Sequence, residues 1–96
     1  MNDKLTPILK WRRWALLFPT VKAAFGSTLF QPTDLDSWAT SQPSDGALHA
    51  AKFLLALWNN QQVWDCGKFD VTDAMSIWDA EHRAAFVVWA EEPWWP

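Results

Sequence analysis

The fold is decided by residues 45–58, DGALHAAKFLLALW, which include the longest uninterrupted apolar run of the chain. When these residues are placed on a helix, the polar residues and one alanine fall on a narrow strip, and the rest of the surface is apolar. The strip comprises Asp45, His49, Lys52, Ala56 and Asn59. A helix that is apolar on nearly all sides is covered by neighbours on several sides. This stretch therefore predicts the central helix, and its core residues are expected to be Phe53, Leu54, Leu55, Leu57 and Trp58.

Three further main helices are predicted around the central one, over residues 7–18, 70–78 and 79–91. Pro19 ends the first of them, because proline disfavours helical geometry in the residue before it. Asp70 and Asp79 are suitable N-caps for the other two. The pattern leaves open whether those two are separate helices or one continuous helix. We predict an all-α bundle of about four main helices that forms a single domain over residues 1–96.

Residues 26–44 are the most loop-like stretch, because they are rich in Gly, Ser, Thr, Gln, Pro and Asp. We expect only one or two helical turns within this stretch, from Thr33 or Asp34 to Trp38. A short helix over residues 20–25 precedes it.

The composition is unusual in its aromatic residues. The chain has 96 residues, of which 50% are hydrophobic and 20% charged, and this excludes a disordered chain. Nine Trp and six Phe residues supply large core side chains for a small domain. We therefore expect some apolar surface to stay exposed and to serve for binding.

Charge is divided unevenly along the chain. Residues 1–25 carry a net charge of +4 and residues 26–96 carry −7. The two parts could pair within the fold, or the basic part could face an acidic partner. Lys10, Arg12 and Arg13 are the candidate contacts to an acidic partner or to a nucleic acid.

Basic residues between two tryptophans, as in Trp11-Arg12-Arg13-Trp14, can bind phosphates while stacking on bases, or can lie at a membrane surface. On a helix, however, these basic residues scatter over several faces. The pI of about 5.1 also disfavours nucleic-acid binding. We expect the two tryptophans to pack within the fold.

The sequence contains no catalytic, metal or cofactor motif. Cys66, His49 and His82 are its only thiol and imidazoles, and their spacing does not predict a contact between nucleophile and base. His49 follows Asp45 by one helical turn, so a surface pair explains it. We expect neither an enzyme nor a cofactor.

A cytoplasmic location is expected. Cys66 is the single cysteine and cannot form an internal disulfide, which fits a reducing compartment. The longest apolar run, residues 53–58, is far shorter than the roughly 20 residues that span a membrane. We expect no transmembrane segment.

Two features indicate a partner. Around helix 79–91, one face carries Ala85, Phe86 and Trp89 beside His82, and the opposite face carries small residues: Ala80, Ala84, Val87 and Val88. Only the first face is needed to cover the central helix. The second predicts self-association, most simply as a dimer.

The second feature is the final segment, Pro-Trp-Trp-Pro, residues 93–96. These four residues resemble the motif that names the PWWP chromatin-reader family, but that family's motif belongs to a β-barrel and this chain is predicted to be helical. We expect Trp94 and Trp95 to pack on the core, with capture of an exposed aromatic tail by a partner as the alternative.

The predicted function is that of a small non-enzymatic helical protein that binds another protein or itself. Its interface is expected to include Ala80, Ala84, Val87, Val88, Trp94 and Trp95. The alternative is a small nucleic-acid-associated regulator that uses the basic N-terminal helix.

Overall fold

A computed structural model describes residues 6–26, 28–41 and 43–96. These residues form six α-helices, and no strand occurs among them. The helices are α1 (Thr6–Ala15), α2 (Pro19–Phe25), α3 (Pro32–Thr40), α4 (Asp45–Trp58), α5 (Val71–Ile77) and α6 (Ala80–Glu91). The all-helical prediction is confirmed, with six helices where about four main ones were expected.

Helix α4 is at the centre of the fold, as its sequence predicts. Its N-terminus is capped by Ser44, whose hydroxyl accepts a hydrogen bond from the amide of Ala47 at 3.3 Å. It contacts α1, α2, α3 and α5. Four of its five predicted core residues are buried, and the fifth, Trp58, is half-buried; the four are Phe53, Leu54, Leu55 and Leu57.

The sequence predicts that His49 lies on an exposed strip of α4 beside Asp45, and this prediction is wrong. Its side chain is only 8% exposed, and its Nδ1 atom is buried without a hydrogen-bond partner in the described part of the chain. The polar strip of α4 is therefore partly covered, because neighbouring helices surround α4 on more sides than its sequence predicts.

The first predicted helix ends earlier than residue 18. α1 stops at Ala15, and α2 begins at Pro19. Pro19 forces Phe18 into an extended conformation, with φ −83° and ψ 117°. Phe18 is thereby turned into the core, where its ring lies 5.9 Å from that of Phe53 and 5.5 Å from that of Trp78.

The helix expected within the loop-rich residues 26–44, from Thr33 or Asp34 to Trp38, is longer than predicted, because α3 spans nine residues. The helix starts with Pro32 at its first position and a capping box in which Gln31 and Asp34 bond reciprocally to each other's backbone. Leu35 and Ala39 are buried in the core, and α3 packs on α4. This burial stabilises a segment whose residues are weak helix formers by themselves.

α5 and α6 are separate helices. Trp78 has an extended conformation after α5, and the carboxylate of Asp79 caps α6 by accepting from the amide of His82 at 2.9 Å. The indole of Trp78 is buried and donates to the carbonyl of Gly46 at 3.1 Å. This bond ties the break between the two helices to the start of α4.

No helix in the described ranges is long and apolar enough to cross a membrane.

Candidate functional site

An apolar groove lies between the end of α4, the segment that follows it, α6 and the C-terminal tail. We call it the aromatic groove. Its volume is about 280 Å³, and it is lined by Phe53, Ala56, Leu57, Asn60, Phe69, Phe86, Trp89 and Trp95. Except for the amide of Asn60, these side chains are apolar or aromatic, and none of them is titratable.

Phe53 organises the base of the aromatic groove. Its ring contacts those of Phe69, Phe86 and Trp89 at centroid distances of 5.3, 5.1 and 5.1 Å. The last two contacts are edge-to-face, which is a favoured geometry for aromatic pairs. Because Phe53 itself is buried in the core, the base of the groove is rigidly connected to α4.

The C-terminal tail forms one wall of the aromatic groove. The indole of Trp89 donates to the carbonyl of Trp94 at 3.0 Å, which fixes the tail against α6. Trp95 then lies edge-to-face on Trp89, with ring centroids 5.7 Å apart. Its side chain is nevertheless 66% exposed, so a large aromatic surface faces solvent at the rim.

The prediction that both tail tryptophans pack on the core is therefore right for Trp94 and wrong for Trp95. Trp94 is half-buried, its ring lies 6.0 Å from that of Trp14, and the ammonium of Lys10 lies 4.5 Å above it. Of the two residues, only Trp94 packs against the core cluster.

A second, smaller cavity of about 150 Å³ continues the aromatic groove at one end, and we call it the lysine end. The two cavities share Ala56, Asn60 and Phe69 in their walls. The remaining lining residues are Lys52, Gln62, Trp64, Gly67 and Lys68. A cavity lined by two lysines thus adjoins an apolar one.

The turn at residues 64–67 shapes the lysine end. The amide of Gly67 donates to the carbonyl of Trp64 at 3.0 Å, and Gly67 has a φ of +99°, which other residues rarely adopt. Lys52 packs directly against this glycine: a Cβ atom there would lie 3.5 Å from the Cε atom of Lys52. The carboxylate of Asp36 holds the same turn by accepting from the amides of Asp65 and Cys66, at 3.1 and 2.9 Å.

Cys66 is not placed for nucleophilic chemistry. Burial, together with the nearby carboxylate of Asp36, raises the pKa of its thiol to about 12. The thiol therefore stays protonated at neutral pH, whereas the thiolate is the reactive form of cysteine.

The basic residues singled out in α1 have separate roles. The Nε atom of Arg12 donates to the carbonyl of Phe30 at 2.7 Å, so this guanidinium links α1 to the segment before α3. Lys10 covers the ring of Trp94, and Arg13 is exposed. Lys10 and Arg13 line one shallow depression beside Trp14, whereas Arg12 does not line it and is held at the carbonyl of Phe30. The three side chains therefore do not form one shared phosphate site.

The sequence leaves open whether the basic N-terminal part pairs with the acidic remainder, and among the described residues no such pairing is found. In the part of the chain that the structure describes, no Lys or Arg lies within salt-bridge distance of a carboxylate, and the single contact at that distance joins the imidazole of His82 to Asp79 at 2.8 Å. The charged groups of Lys and Arg among the described residues therefore face solvent, donate to backbone carbonyl groups or lie over an aromatic ring.

The sequence does not predict one group of polar side chains, because two of its members, Thr20 and His82, are 62 residues apart. The hydroxyl of Thr20 lies 2.9 Å from Nε2 of His82, and Nδ1 of His82 lies 2.8 Å from the carboxylate of Asp79. Hydroxyl, imidazole and carboxylate in line form the arrangement of a nucleophile, a base and an orienting group.

This line of residues has a structural role that accounts for it. His82 is buried, and neither Thr20 nor His82 lines the aromatic groove, the lysine end, or the depressions beside Trp14 and Pro19. The contacts join α2 to α6, and Asp79 is also the cap of α6. The same capping bond, from the amide of His82, is the main reason that the pKa of Asp79 is lowered.

The outer face of α6 is uncovered. Ala80 and Ala84 are exposed, and Val87 and Val88 are 44% and 51% exposed.

The described residues contain no group of three or more His, Cys, Asp or Glu side chains arranged to hold a metal ion.

Comparison of the chain with protein-family models, with curated proteins and with solved structures finds no match.

Proposed function

We propose that this chain is a non-enzymatic helical binding protein, and that it holds an apolar side chain of a protein partner in the aromatic groove. The observation that carries the proposal is the position of Trp95. This residue is fixed at the rim by the tail and by Trp89, yet most of its surface stays in water. Exposed aromatic residues that are held rigidly are typical binding anchors, since they lose little conformational freedom on binding.

The remaining exposure of Trp95 supplies a substantial driving force. A tryptophan buries roughly 150–250 Å² when fully packed, so about 100–160 Å² remains to be covered here. At about 25 cal/mol per Å², covering it contributes at most about 3–4 kcal/mol before the costs of association. The neighbouring groove adds apolar area from Leu57 and Phe86.

The lining of the aromatic groove favours binding over catalysis. It offers no group that could transfer a proton or attack a substrate, and the His82 constellation does not open into it. A largely apolar pocket with few polar groups suits the insertion of one large apolar side chain.

Affinity capture with a matched pair of variants tests the proposal. Wild-type protein, Trp95→Ala and Leu29→Ala are each used to capture proteins from the source cells, followed by quantitative mass spectrometry. Leu29 is the control because it is 76% exposed and does not line the groove. We expect at least one partner that wild type and Leu29→Ala retain and that Trp95→Ala loses by about tenfold, equivalent to about 1.4 kcal/mol.

Identical sets of captured proteins for all three would contradict the groove as the binding site. Circular dichroism of each variant provides the check on folding. Trp95→Ala is expected to keep the wild-type helicity, because most of this side chain makes no contact within the chain.

Self-association through the outer face of α6 is the second candidate function. The exposure of Ala80, Ala84, Val87 and Val88 favours it, because small side chains allow a second helix to approach closely. Light scattering over a wide concentration range tests it: we expect a dimer that Ala84→Glu dissociates with helicity retained. A strict monomer of 11.1 kDa at every concentration would contradict it.

A further inference from the structure

The lysine end brings two lysine residues next to the aromatic groove. Lys52 and Lys68 both line it, and neither forms an ion pair with a carboxylate within residues 6–26, 28–41 and 43–96. This is a positive site on a chain of net charge −3. Such a site attracts a negative group against the overall charge of the molecule, which makes it selective.

Lys52 is held in place before any ligand arrives. It is half-buried, it lies one turn before Ala56 on α4, and its aliphatic stem packs against Gly67. Partial burial strengthens the attraction of its ammonium for an anion, because water screens the charge less. The carboxylate of Asp36 lies beside the same turn, where it accepts two backbone hydrogen bonds and forms no salt bridge with Lys52.

The distance between the two parts of the site sets the spacing in a ligand. Lys52 and Ala56 are four residues apart on a helix, which is about 6 Å, and Ala56 is already part of the groove wall. An extended peptide advances about 3.3 Å per residue, so a carboxylate beside Lys52 lies roughly two or three residues from the apolar anchor.

We infer that the partner presents an acidic, apolar peptide segment, in which an aromatic or large aliphatic residue fills the aromatic groove and an Asp or Glu two or three positions away binds Lys52 and Lys68. This inference rests on the proposed function of the groove. It adds that the peptide carries a negative charge, and it gives the number of residues between the acidic residue and the apolar one.

Selection from a phage library of random dodecapeptides tests the inference on the full chain. Selections are run in parallel on wild type, on Lys52→Gln/Lys68→Gln and on Trp95→Ala. The charge-matched control is Arg13→Gln/Lys22→Gln, which also removes two positive charges from exposed positions that line neither part of the site. Circular dichroism confirms that all variants are folded.

We expect the wild type and the control to select peptides with a large apolar residue and a nearby acid, and the Lys52→Gln/Lys68→Gln variant to select the apolar residue alone. One selected peptide is then synthesised in two forms, with the acid and with the corresponding amide. The acid form should bind the Lys52→Gln/Lys68→Gln variant about two- to thirtyfold more weakly than it binds wild type, which is the range for two partly exposed charge pairs. The amide form should bind both proteins with similar affinity.

The outcomes distinguish a failure of the acidic-peptide inference from a failure of the proposed function of the aromatic groove. Peptides that need Trp95 but show no preference for acids, and that bind both lysine forms equally, would overturn the inference and leave the groove as a binding site. If no selected peptide depends on Trp95, the aromatic groove is not the binding site, and the inference is wrong as well.

Discussion

Replacing Trp11 with Phe is expected to destabilise the protein by about 2 kcal/mol, because this residue attaches α1 to the central helix. The indole of Trp11 is fully buried, and its N–H donates to the carbonyl of Leu54 at 2.8 Å across 43 residues of sequence. Its ring also lies 5.4 Å from that of Phe30 and 5.6 Å from that of Trp58. A helix of ten residues is marginal in water by itself, so α1 depends on this docking.

The magnitude follows from what phenylalanine cannot replace. Loss of the N–H removes one buried hydrogen bond, which contributes about 1 kcal/mol to the free energy of unfolding. The smaller side chain also has three fewer heavy atoms, and the void that remains after partial relaxation costs roughly another 1 kcal/mol. Since domains of this size have a total stability of about 5–15 kcal/mol, the change is a large fraction of the whole.

Urea unfolding followed by circular dichroism measures the effect without relying on tryptophan fluorescence, which the substitution itself alters. We expect the urea midpoint to fall by about 1 M and the melting temperature by about 8–16 °C. Trp14→Phe is the matched control in the same helix: Trp14 is half-buried, and its indole donates no hydrogen bond within the described residues. A Trp11→Phe midpoint no lower than that of Trp14→Phe would refute the reasoning.

Three other perturbations probe separate parts of the fold. His49→Leu should raise the free energy of unfolding by about 1 kcal/mol in urea titrations, because it removes a buried nitrogen without a hydrogen-bond partner; a lower stability would contradict this. Asp79→Ala should lower the melting temperature at pH 7. Because folding lowers the pKa of this carboxyl, its stabilisation is present above its unfolded pKa of about 3.9 and is lost as pH falls through the folded value. The difference in melting temperature should therefore shrink toward pH 2, and a constant difference would count against the cap. Trp94→Ala should cost about 1–2 kcal/mol and Trp95→Ala far less, measured by thermal unfolding, because only Trp94 packs on the core; equal losses would place both residues in the core.

Local signals that act within one helix could be interpreted from the sequence alone. The nearly continuous apolar surface of residues 45–58 predicts the central helix. Asp70 and Asp79 mark the starts of α5 and α6 correctly, because an N-cap bonds to amides only two or three residues away. The exposed outer face of α6 also agrees with its periodicity. The all-helical class and the centre of the core were thus predictable.

Tertiary contacts decided the rest. Residues 32–40 are helical because Leu35 and Ala39 are buried against α4, which their own weak helix propensity does not reveal. His49 is buried for the same reason, because the helices packed around α4 determine which of its faces are covered, and the pattern of polar residues along α4 does not. The aromatic groove and the lysine end combine side chains from α4, the segment after it, α6 and the tail. Pairings over such separations depend on how helices pack, and periodicity within one helix carries no information about them.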